Sequence, residues 1–466
     1  MTTVAPLPTT TSVASTASSP RPRTRRSGPT PKPWFANLLA TVGGVGLGAS
    51  AAFALSQESR TTFASTGAAL DAVARLSAVT GTYLMVVMLV LMARLPWLER
   101  TVGQDRLVAW HRRIGGWPIA LITLHVVTVT LGYSMITKSG FFGQVKTFVL
   151  HYPDMLAAFV GFALLLMVGV ASYPRVRAHL KYETWWAVHL FIYLALILAF
   201  THQIKTGVMF IGHPLSTDIW IAAGGGVALV MLGSRFAAPV VANLRYRLIV
   251  RDVEEVASGV FAVTMTGRHL ERLAVSGGQF FQWRFFSPGL LWHSHPYSLS
   301  ALPRPPFLRV TIKALGDQSQ SVAHLKPGTR VFIEGPYGTF TRHAATSKAV
   351  TLIGAGVGVT PIRALLEDLP DDVAVTVLLR GTAAEDLVHR DEIAAFVTAR
   401  GGTFHELVGS RHHVKLDAKA LRRLVPGING HDVYVCGPSS FTESIRRAAT
   451  ALHVPEQRIH TEEFSF

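Results

Sequence analysis

The chain has 466 residues, of which 49% are hydrophobic and only 15% charged, and 44 Lys and Arg stand against 28 Asp and Glu. Soluble domains carry about 25% charged residues, so part of this chain belongs in a lipid bilayer. The composition excludes a disordered chain and a collagen-like repeat, and a single cysteine, Cys436, excludes a scaffold held by internal disulfides.

The first half of the chain has the pattern of a membrane domain. Residues 1–33 are rich in Ser, Thr and Pro, with no apolar stretch and no small-residue cleavage pattern, which predicts a disordered cytoplasmic tail rather than a signal peptide. A bilayer crossing needs about 20 apolar residues. Six stretches qualify and predict a six-helix domain over 34–240: 34–55, 69–93, 114–134, 154–173, 185–204 and 218–238.

The basic residues of the short loops predict the orientation of these helices. One side holds Arg94, Arg100, Arg106, Arg112 and Arg113 before the third helix, and Arg175, Arg177 and Lys181 before the fifth. The other side holds only Arg60, Lys138, Lys146 and Lys205. Because cytoplasmic loops are enriched in Lys and Arg, we expect a multi-pass protein of the cell membrane with both termini in the cytoplasm. The basic surplus follows this topology, which argues against nucleic acid as a partner.

Four histidines fall on two of the predicted helices. His111 and His125 are fourteen residues apart on the third helix, and His189 and His202 are thirteen apart on the fifth. At about 1.5 Å per residue, each pair spans roughly 20 Å. Both helices run outward, so His111 should lie level with His189 and His125 with His202. Two facing imidazoles can bind a haem iron from both sides, so the pattern predicts two haems.

Two points stay open in this domain. Thirteen steps along a helix end roughly 140° from the starting face, so the fifth helix needs tilt or a local winding defect to direct both histidines at its neighbour. Structural histidines held by hydrogen bonds are the alternative. Arg75, in the outer part of the second helix, needs a partner such as a haem propionate, an anionic oxygen species or water.

Residues 244–343 have the pattern of a small antiparallel β-barrel. Residues 307–313 alternate between apolar and polar side chains, as a half-buried strand does. Two loops could contact a ligand, although either could be an ordinary turn. One holds His295, Pro296, Tyr297 and Ser298, with an aromatic face and a hydroxyl, and the other is the tight turn that begins at Gly335.

Residues 347–466 predict an α/β domain with a parallel sheet. An apolar strand ends in a glycine-rich turn before a helix, a setting that binds pyrophosphate at the helix N-terminus. The turn contains Gly354, Gly356, Gly358, Thr360 and Pro361. Arg380, at the end of the second strand, could pair with the 2′-phosphate of NADPH or be a solvated loop residue. Cys436, Gly437 and Pro438 end a later strand at the edge where such sheets bind ligands.

Taken together, these features resemble the ferric reductase and NADPH oxidase superfamily over nearly the whole chain after residue 34. The resemblance rests on the two histidine spacings, on the His295–Ser298 motif and on the glycine-rich turn. It implies a six-helix domain with two b-type haems and a cytoplasmic module similar to ferredoxin–NADP reductase. It also implies that His111 and His189 bind the inner haem and that His125 and His202 bind the outer haem.

The resemblance assigns further roles in the cytoplasmic module. The FAD-binding residues it implies are His295, Pro296, Tyr297, Ser298 and Gly335. The residues implied for NAD(P) are Gly354, Gly356, Gly358, Thr360, Pro361, Arg380, Cys436, Gly437 and Pro438. Cys436 would lie beside the nicotinamide where the hydride moves. A C-terminal aromatic residue covers the flavin in relatives, and Phe464 is similar to it, although Phe466 could take the role.

The implied activity is electron transfer from NADPH, or NADH, to FAD, then to the inner haem, the outer haem and an acceptor outside. The expected acceptor is a ferric chelate or oxygen, which would give superoxide. Alternatives are a haem-free membrane anchor for a cytoplasmic flavoprotein, and an electron donor to a periplasmic redox partner. The sequence leaves the oligomeric state open.

Overall fold

The structure is a computed structural model that describes residues 33–59, 62, 64–291, 294–410 and 414–463. In chain order it forms a helical bundle, a six-stranded antiparallel sheet and a five-stranded parallel sheet with helices. The predicted fold class is therefore confirmed.

The helices of the bundle are α1 Pro33–Ser56, α2 Thr66–Leu91, α3 Pro96–Val102, α4 Gln104–Ile114, α5 Gly116–Thr137, α6 Phe141–His151, α7 Met155–Ser172, α8 Pro174–Arg177, α9 Tyr182–Thr206, α10 Pro214–Leu232 and α11 Ala238–Tyr246. Within the described residues, six spans are long and apolar enough to cross a bilayer: Trp34–Ser56, Thr66–Leu91, Arg106–Thr137, Met155–Ser172, Tyr182–Thr206 and Pro214–Tyr246. They confirm the six predicted crossings.

Two of these spans, Arg106–Thr137 and Pro214–Tyr246, exceed the predicted stretches by about half their length. The third combines α4 and α5, since Gly115 between them has helical φ and ψ of −54° and −26°. The sixth combines α10 and α11 through a π-helical turn at Gly233–Ala237 and passes the expected end at residue 240. Arg247 alone separates this helix from the first strand of the barrel. The membrane bundle and the barrel are thus joined with almost no linker.

The bundle is organised around two helix pairs, α2 with α5 and α7 with α9. Each pair is close enough to require glycine at the contact. A Cβ on Gly132 of α5 would lie 2.8 Å from the carbonyl oxygen of Gly67, and one on Gly161 of α7 would lie 2.8 Å from that of Ala195. Small residues allow such contacts between membrane helices. The histidine-bearing helices α5 and α9 thus belong to different pairs, with room for a ligand between them.

The barrel follows the alternating burial that its sequence predicts. Its elements are β1 Leu248–Ala257, β2 Val260–Thr266, β3 Phe280–Phe285, β4 His295–Ser298, β5 Phe307–Lys313, α12 Asp317–Gln320 and β6 Arg330–Tyr337. The strands are ordered β4-β3-β6-β1-β2-β5, and a bridge between Leu299 and Val310 closes the ends. Trp283, Phe281 and Phe285 of β3 are fully buried in its core.

The parallel-sheet domain has buried central strands. Its elements are β7 Ala349–Ala355, α13 Val359–Asp368, β8 Ala374–Gly381, α14 Arg390–Ala399, β9 Thr403–Val408, α15 Ala418–Leu424, β10 Asp432–Gly437, α16 Ser439–Ala451 and β11 Ile459–Glu463. The strands are ordered β11-β10-β7-β8-β9. Gly354 on β7 is paired in register with Cys436 on β10, so the carboxyl ends of the two central strands meet at one edge.

Candidate functional site

The histidines nearest to the barrel face each other. The ring centroids of His111 on α4 and His189 on α9 lie 6.2 Å apart, with 67° between the ring planes. Two metal–nitrogen bonds of about 2 Å, each with about 1 Å from the nitrogen to the ring centre, would separate the two centroids by about 6 Å. We call His111 and His189 the near pair. Its spacing fits one iron bound between the rings.

A small network orients His189. Its Nδ1 lies 3.3 Å from the hydroxyl oxygen of Ser172, which also accepts a hydrogen bond of 3.3 Å from Nε1 of Trp185. The Trp185 ring lies 5.2 Å from the His189 ring, and the guanidinium of Arg177 covers Trp185 at 4.7 Å. Because Nδ1 is occupied, Nε2 is the ring nitrogen available to a metal. Sequence reasoning missed Ser172 and Trp185.

His125 on α5 and His202 on α9, which we call the far pair, line one cavity in the bundle. Nδ1 of His125 lies 2.9 Å from the carbonyl oxygen of Ala74, which again leaves Nε2 for a metal. Nδ1 of His202 is buried without a well-formed hydrogen bond among the described residues. Apolar and aromatic side chains dominate the walls, among them Phe148, Phe159, Phe162, Leu165 and Trp220. This surface suits a flat, apolar macrocycle.

The fifth helix reaches both pairs without the expected winding defect. α9 is a regular α-helix from Tyr182 to Thr206. His189 meets His111 directly, whereas His202 borders a wide cavity that it shares with His125. The two histidines therefore need not leave the helix on the same face.

Arg75 has protein partners in this structure. Its Nε and Nη2 donate to Oε1 and Oε2 of Glu58, both at 2.6 Å, and its Nη1 pairs with Asp71 one turn earlier on α2. The hydrogen bond from Arg75 holds the pKa of Glu58 below its usual value. Arg75 and Asp71 also line the far-pair cavity. Two carboxylates thus provide the partner that a charge at this position requires, whereas the predicted propionate, oxygen species or water stays a prediction.

A polar contact joins the membrane half to the barrel. Nη1 of Arg94, which follows α2, lies 2.5 Å from Oε1 of Glu334 and donates to the Tyr337 hydroxyl at 3.1 Å. Its guanidinium also lies 5.2 Å from the centre of the Tyr337 ring. Nearby Glu99 on α3 is buried, and burial raises its pKa to about 7. We call Arg94, Glu99, Glu334 and Tyr337 the junction.

The motif on β4 presents an aromatic face and a free hydroxyl. The rings of His295 and Tyr297 are stacked, with centroids 5.8 Å apart, and Trp283 donates to the Tyr297 carbonyl oxygen at 2.8 Å. Burial raises the pKa of Tyr297 to about 12. Pro296 pairs with Gln282 on β3. The Ser298 hydroxyl is buried without a hydrogen-bond partner among the described residues, which suits contact with a bound ligand.

The tight turn predicted to begin at Gly335 is wrong, because Gly335 lies within strand β6, beside this motif. Gly335 has a φ of +142°, and a Cβ there would lie 2.9 Å from the ring of Phe281. Only glycine fits this position without displacing the buried ring. The predicted flavin residues of β4 and β6 therefore lie on either side of β3, in one sheet.

The glycine-rich turn and the Cys436 segment come together as predicted. A Cβ on Gly358 would lie 2.4 Å from the Cys436 carbonyl oxygen, so the two backbones touch. Gly356 has a φ of +56°, and Pro361 lies in the first turn of α13. The Thr360 hydroxyl is buried without a partner among the described residues. This edge offers backbone N–H groups and an unsatisfied hydroxyl to a phosphate.

The Cys436 thiol is fully buried, and burial raises its pKa well above the usual value. It is therefore a neutral thiol at physiological pH. Gly437 ends β10, and Pro438 comes directly before α16. These residues form the carboxyl edge of the sheet beside the glycine-rich turn.

Three other predicted residues have different outcomes. Arg380 is the last residue but one of β8, and its Nη1 donates to the carbonyl oxygens of Leu407, at 3.2 Å, and of Gly381. Phe464 and Phe466 lie outside the described residues. The strand that leads to them, β11, is paired with β10 so that Glu462 lies beside Cys436. The chain thus approaches the nucleotide edge just before Phe464.

Three family models match consecutive parts of the chain. The ferric reductase-like transmembrane component matches residues 77–200, the FAD-binding domain 247–341 and the oxidoreductase NAD-binding domain 352–447. The chain has the ferric reductase and NADPH oxidase architecture. It is accordingly a multi-pass membrane oxidoreductase that depends on NAD(P)H, with an FAD domain (the barrel) and a nucleotide domain (the parallel sheet).

Individual relatives match only part of the chain. Ferredoxin–NADP reductase B of Sorangium cellulosum is 28% identical over 187 residues, which is 36% of this chain and 77% of the relative. A flavohemoprotein of Bordetella pertussis is 28% identical over 281 residues, 53% of this chain and 69% of the relative. A solved FAD/NAD-binding domain of nitric oxide dioxygenase from Vibrio cholerae aligns with a TM-score of 0.38 and 22% identity, over 47% of this chain and 98% of that domain.

Proposed function

We propose that this protein passes electrons from cytoplasmic NADPH through FAD, an inner haem b and an outer haem b to an acceptor on the other side of the membrane. When bound, the flavin would convert a two-electron hydride donor into a source of single electrons for the haems. The chain itself has to bind and orient these groups and to exclude water. The domain limits proposed for these tasks are 34–240, 244–343 and 347–466, after the tail 1–33.

The observation that supports this proposal best is the near pair. Ring centroids 6.2 Å apart suit two histidines that would hold one iron between them. Ser172 and the Ala74 carbonyl oxygen lie against Nδ1 of His189 and His125, so Nε2 of each ring would be the atom that holds a haem. His111 would complete the inner haem site and His202 the outer one.

The nucleotide and flavin residues have simple binding roles in this proposal. Backbone N–H groups of Gly354, Gly356 and Gly358 would bind the pyrophosphate of NADPH, with Thr360 and Pro361 at the start of α13. Cys436, Gly437 and Pro438 would border the nicotinamide. His295, Pro296, Tyr297, Ser298 and Gly335 would bind FAD, and Phe464 would cover its ring. Arg380 is our candidate for contact with the 2′-phosphate, which would favour NADPH over NADH.

The proposed acceptor is a small, diffusible molecule, either a ferric chelate or oxygen that leaves as superoxide. The nucleotide site must face the cytoplasm, where NADPH is found, and the basic loops predict the same side for both termini. The far pair would then lie toward the outer face. There Phe148 of α6 and Tyr152 border the cavity.

The test is a visible absorption spectrum of the detergent-purified protein, first oxidised and then reduced by NADPH without oxygen. We expect b-type haem bands that sharpen on reduction, and two haems per chain by the pyridine haemochrome assay. The His125→Ala variant should lose about half of the haem absorbance and keep its flavin, because the near pair is intact.

Other results would contradict the proposal. A flavin spectrum without haem would favour a haem-free membrane anchor for a flavoprotein. Full haem reduction followed by turnover only with a protein acceptor would favour a donor to a periplasmic redox partner. His179→Ala is the matched control, because His179 lies in a loop outside the two pairs and should leave the spectrum unchanged.

A further inference from the structure

A group of five charged side chains joins the FAD domain to the nucleotide domain. The FAD domain contributes Arg304 and Arg309, and the nucleotide domain contributes Arg363 and Glu367 on α13 and Glu392 on α14. We call this group the clasp. None of its members belongs to the predicted binding residues.

Arg309 connects Glu392 to the flavin motif. Its two Nη atoms donate to the two carboxylate oxygens of Glu392 at 2.8 and 2.9 Å. On its other edge, Nε donates to the Ser300 hydroxyl at 3.1 Å and Nη2 to the Ser300 carbonyl oxygen at 3.3 Å. Ser300 lies two residues after Ser298. A carboxylate of the nucleotide domain therefore reaches the flavin motif through one planar guanidinium.

Arg363 connects the same carboxylate to the helix that begins at the glycine-rich turn. It is 3% exposed, and its Nε donates to Glu392 at 2.8 Å while its Nη1 pairs with Glu367. Its guanidinium lies 4.9 Å from the ring centre of Phe396. A buried arginine held by two carboxylates and an aromatic ring has little freedom to move. Thr360 lies three residues before it on α13.

Glu367 holds the next part of the flavin segment. It accepts hydrogen bonds from the Leu302 backbone at 3.0 Å and from Nη2 of Arg304 at 2.7 Å. The nucleotide domain thus binds Leu302 and Arg304 directly, and it reaches Ser300 through Arg309. Ser300 lies two residues after the flavin motif His295–Ser298, and α13 begins directly after the glycine-rich turn. The clasp therefore connects the flavin motif to the glycine-rich turn.

Glu392 stays ionised in the clasp. Burial acts to raise the pKa of Glu392, but hydrogen bonds from His389 and Arg309 and the charge of Arg363 outweigh burial and hold it well below its usual value. His389 is itself fixed, because its Nε2 lies 2.8 Å from the Thr311 hydroxyl and its Nδ1 3.1 Å from Glu392.

We propose that Glu392 is a positioning residue for hydride transfer: through Arg309 and Arg363 it fixes the flavin motif against the nucleotide helix, so that the two domains act as one body. In this step the C4–H bond of the nicotinamide breaks and an N5–H bond forms on the flavin. Two electrons and one proton move together and leave NADP⁺ and the reduced flavin anion. Misplacement of such partners by about 1 Å can cost 100-fold in rate.

The test is the Glu392→Gln variant of the full-length, FAD-loaded protein in detergent. Stopped-flow absorbance under anaerobic conditions would measure flavin reduction over a range of NADPH concentrations. We expect the limiting rate to fall about 10- to 100-fold, with a smaller change in the NADPH concentration at half-maximal rate. The isotope effect with NADPH deuterated at C4 should rise, because hydride transfer becomes more rate-limiting.

Two further variants provide a second test and a control. Arg309→Lys retains the charge but loses the bidentate contact, so it should slow the limiting rate even if Glu392→Gln loses its FAD. Glu443→Gln removes an exposed carboxylate that pairs with Arg446 at 2.9 Å, and it should react like the wild type.

Unchanged limiting rates in Glu392→Gln or Arg309→Lys with normal FAD content would overturn the proposal, as would an effect on NADPH affinity alone. The inference rests on the flavin and nucleotide steps of the proposed function. Failure of the wild-type flavin to be reduced by NADPH would contradict that function, whereas equal rates in variant and wild type would contradict only the role of the clasp.

Discussion

Arg75 is a charged residue in a membrane-spanning helix, where an uncompensated charge is costly. Glu58 and Asp71 provide two negative charges for its one positive charge. An anionic molecule in the far-pair cavity would therefore have to compete with Glu58 for the guanidinium. This arrangement argues against a role of Arg75 in attracting anions into the cavity.

The addition of one methyl group at Gly358 should slow the reaction with NADPH. An alanine Cβ would lie 2.4 Å from the Cys436 carbonyl oxygen and 2.8 Å from the Gly437 nitrogen, so the turn or β10 must shift. We expect Gly358→Ala to slow NADPH-dependent flavin reduction about 5- to 150-fold, because overpacking of this kind costs about 1–3 kcal/mol. Stopped-flow reduction of the flavin would measure it.

The control for this prediction is Gly430→Ala, which has open space around the added Cβ and should react at the wild-type rate. Reduction of the Gly358→Ala variant by dithionite should be normal, since the flavin site is untouched. A Gly358→Ala variant that NADPH reduces at full speed would show that the close contact with Cys436 is unimportant.

The position of a residue in the fold could be predicted where one element determines it, whereas the roles of these residues stay predictions. The spacing of His111 and His125 follows from the helical rise, and the glycines of the turn follow from their place between β7 and α13. Ser172 was not predictable, because it reaches His189 from α7. Glu58 reaches Arg75 from a loop seventeen residues away for a similar reason. Neither contact leaves a periodic signal in the sequence.

The junction is a contact between whole elements, and its hydrogen bond from Arg94 to Tyr337 joins residues 243 positions apart in the chain. β6 carries Glu334 and Tyr337 in the same strand as Gly335, so Arg94 holds the flavin side of the barrel against the bundle. Local sequence patterns cannot reveal such a contact. The π-helical turn and the length of the sixth helix were missed because apolar composition does not indicate where a helix changes its winding.

The Arg94→Gln variant should affect the two steps of the proposed electron transfer differently. Flavin reduction by NADPH should be unchanged, while reduction of the haems should slow about tenfold, since electron transfer needs a fixed approach of the barrel to the near pair. Stopped-flow spectra at flavin and haem wavelengths would measure both steps. Arg235→Gln, which lies 4.0 Å from the same Glu334, should have a smaller effect. Equal slowing of both steps would contradict this role.

At the scale of the whole molecule, Glu99 links stability to pH. Its pKa in the folded protein is about 7, above that of an exposed Glu, because burial disfavours the charged carboxylate. The positive charges of Arg94 and Arg235 lower this pKa, and the negative charge of Glu334 raises it, but burial has the largest effect. The folded protein therefore binds more protons than the unfolded chain between about pH 4.5 and 7. Stability should fall as pH rises through this window, by at most about 3 kcal/mol from this group, and should show no further loss from it above pH 7.

Glu99→Gln removes this titration. The variant should unfold at a higher temperature than the wild type at pH 8, and the difference should vanish near pH 4.5. Thermal unfolding in detergent, followed by tryptophan fluorescence, would measure both. An exposed carboxylate such as Glu456 should change stability by less than about 0.5 kcal/mol when replaced by Gln. The same pH profile in Glu99→Gln and wild type would contradict the assignment.

Cys436, the single cysteine of the chain, is inaccessible to solvent. Cys436 is completely buried and stays protonated, so maleimides should not modify the folded protein. Any cysteine introduced at the surface would then be the sole site of labelling, with no need to build a cysteine-free background. Two spin labels or fluorophores, one on the barrel and one on the parallel-sheet domain, could therefore report their separation in the otherwise native enzyme while it turns over.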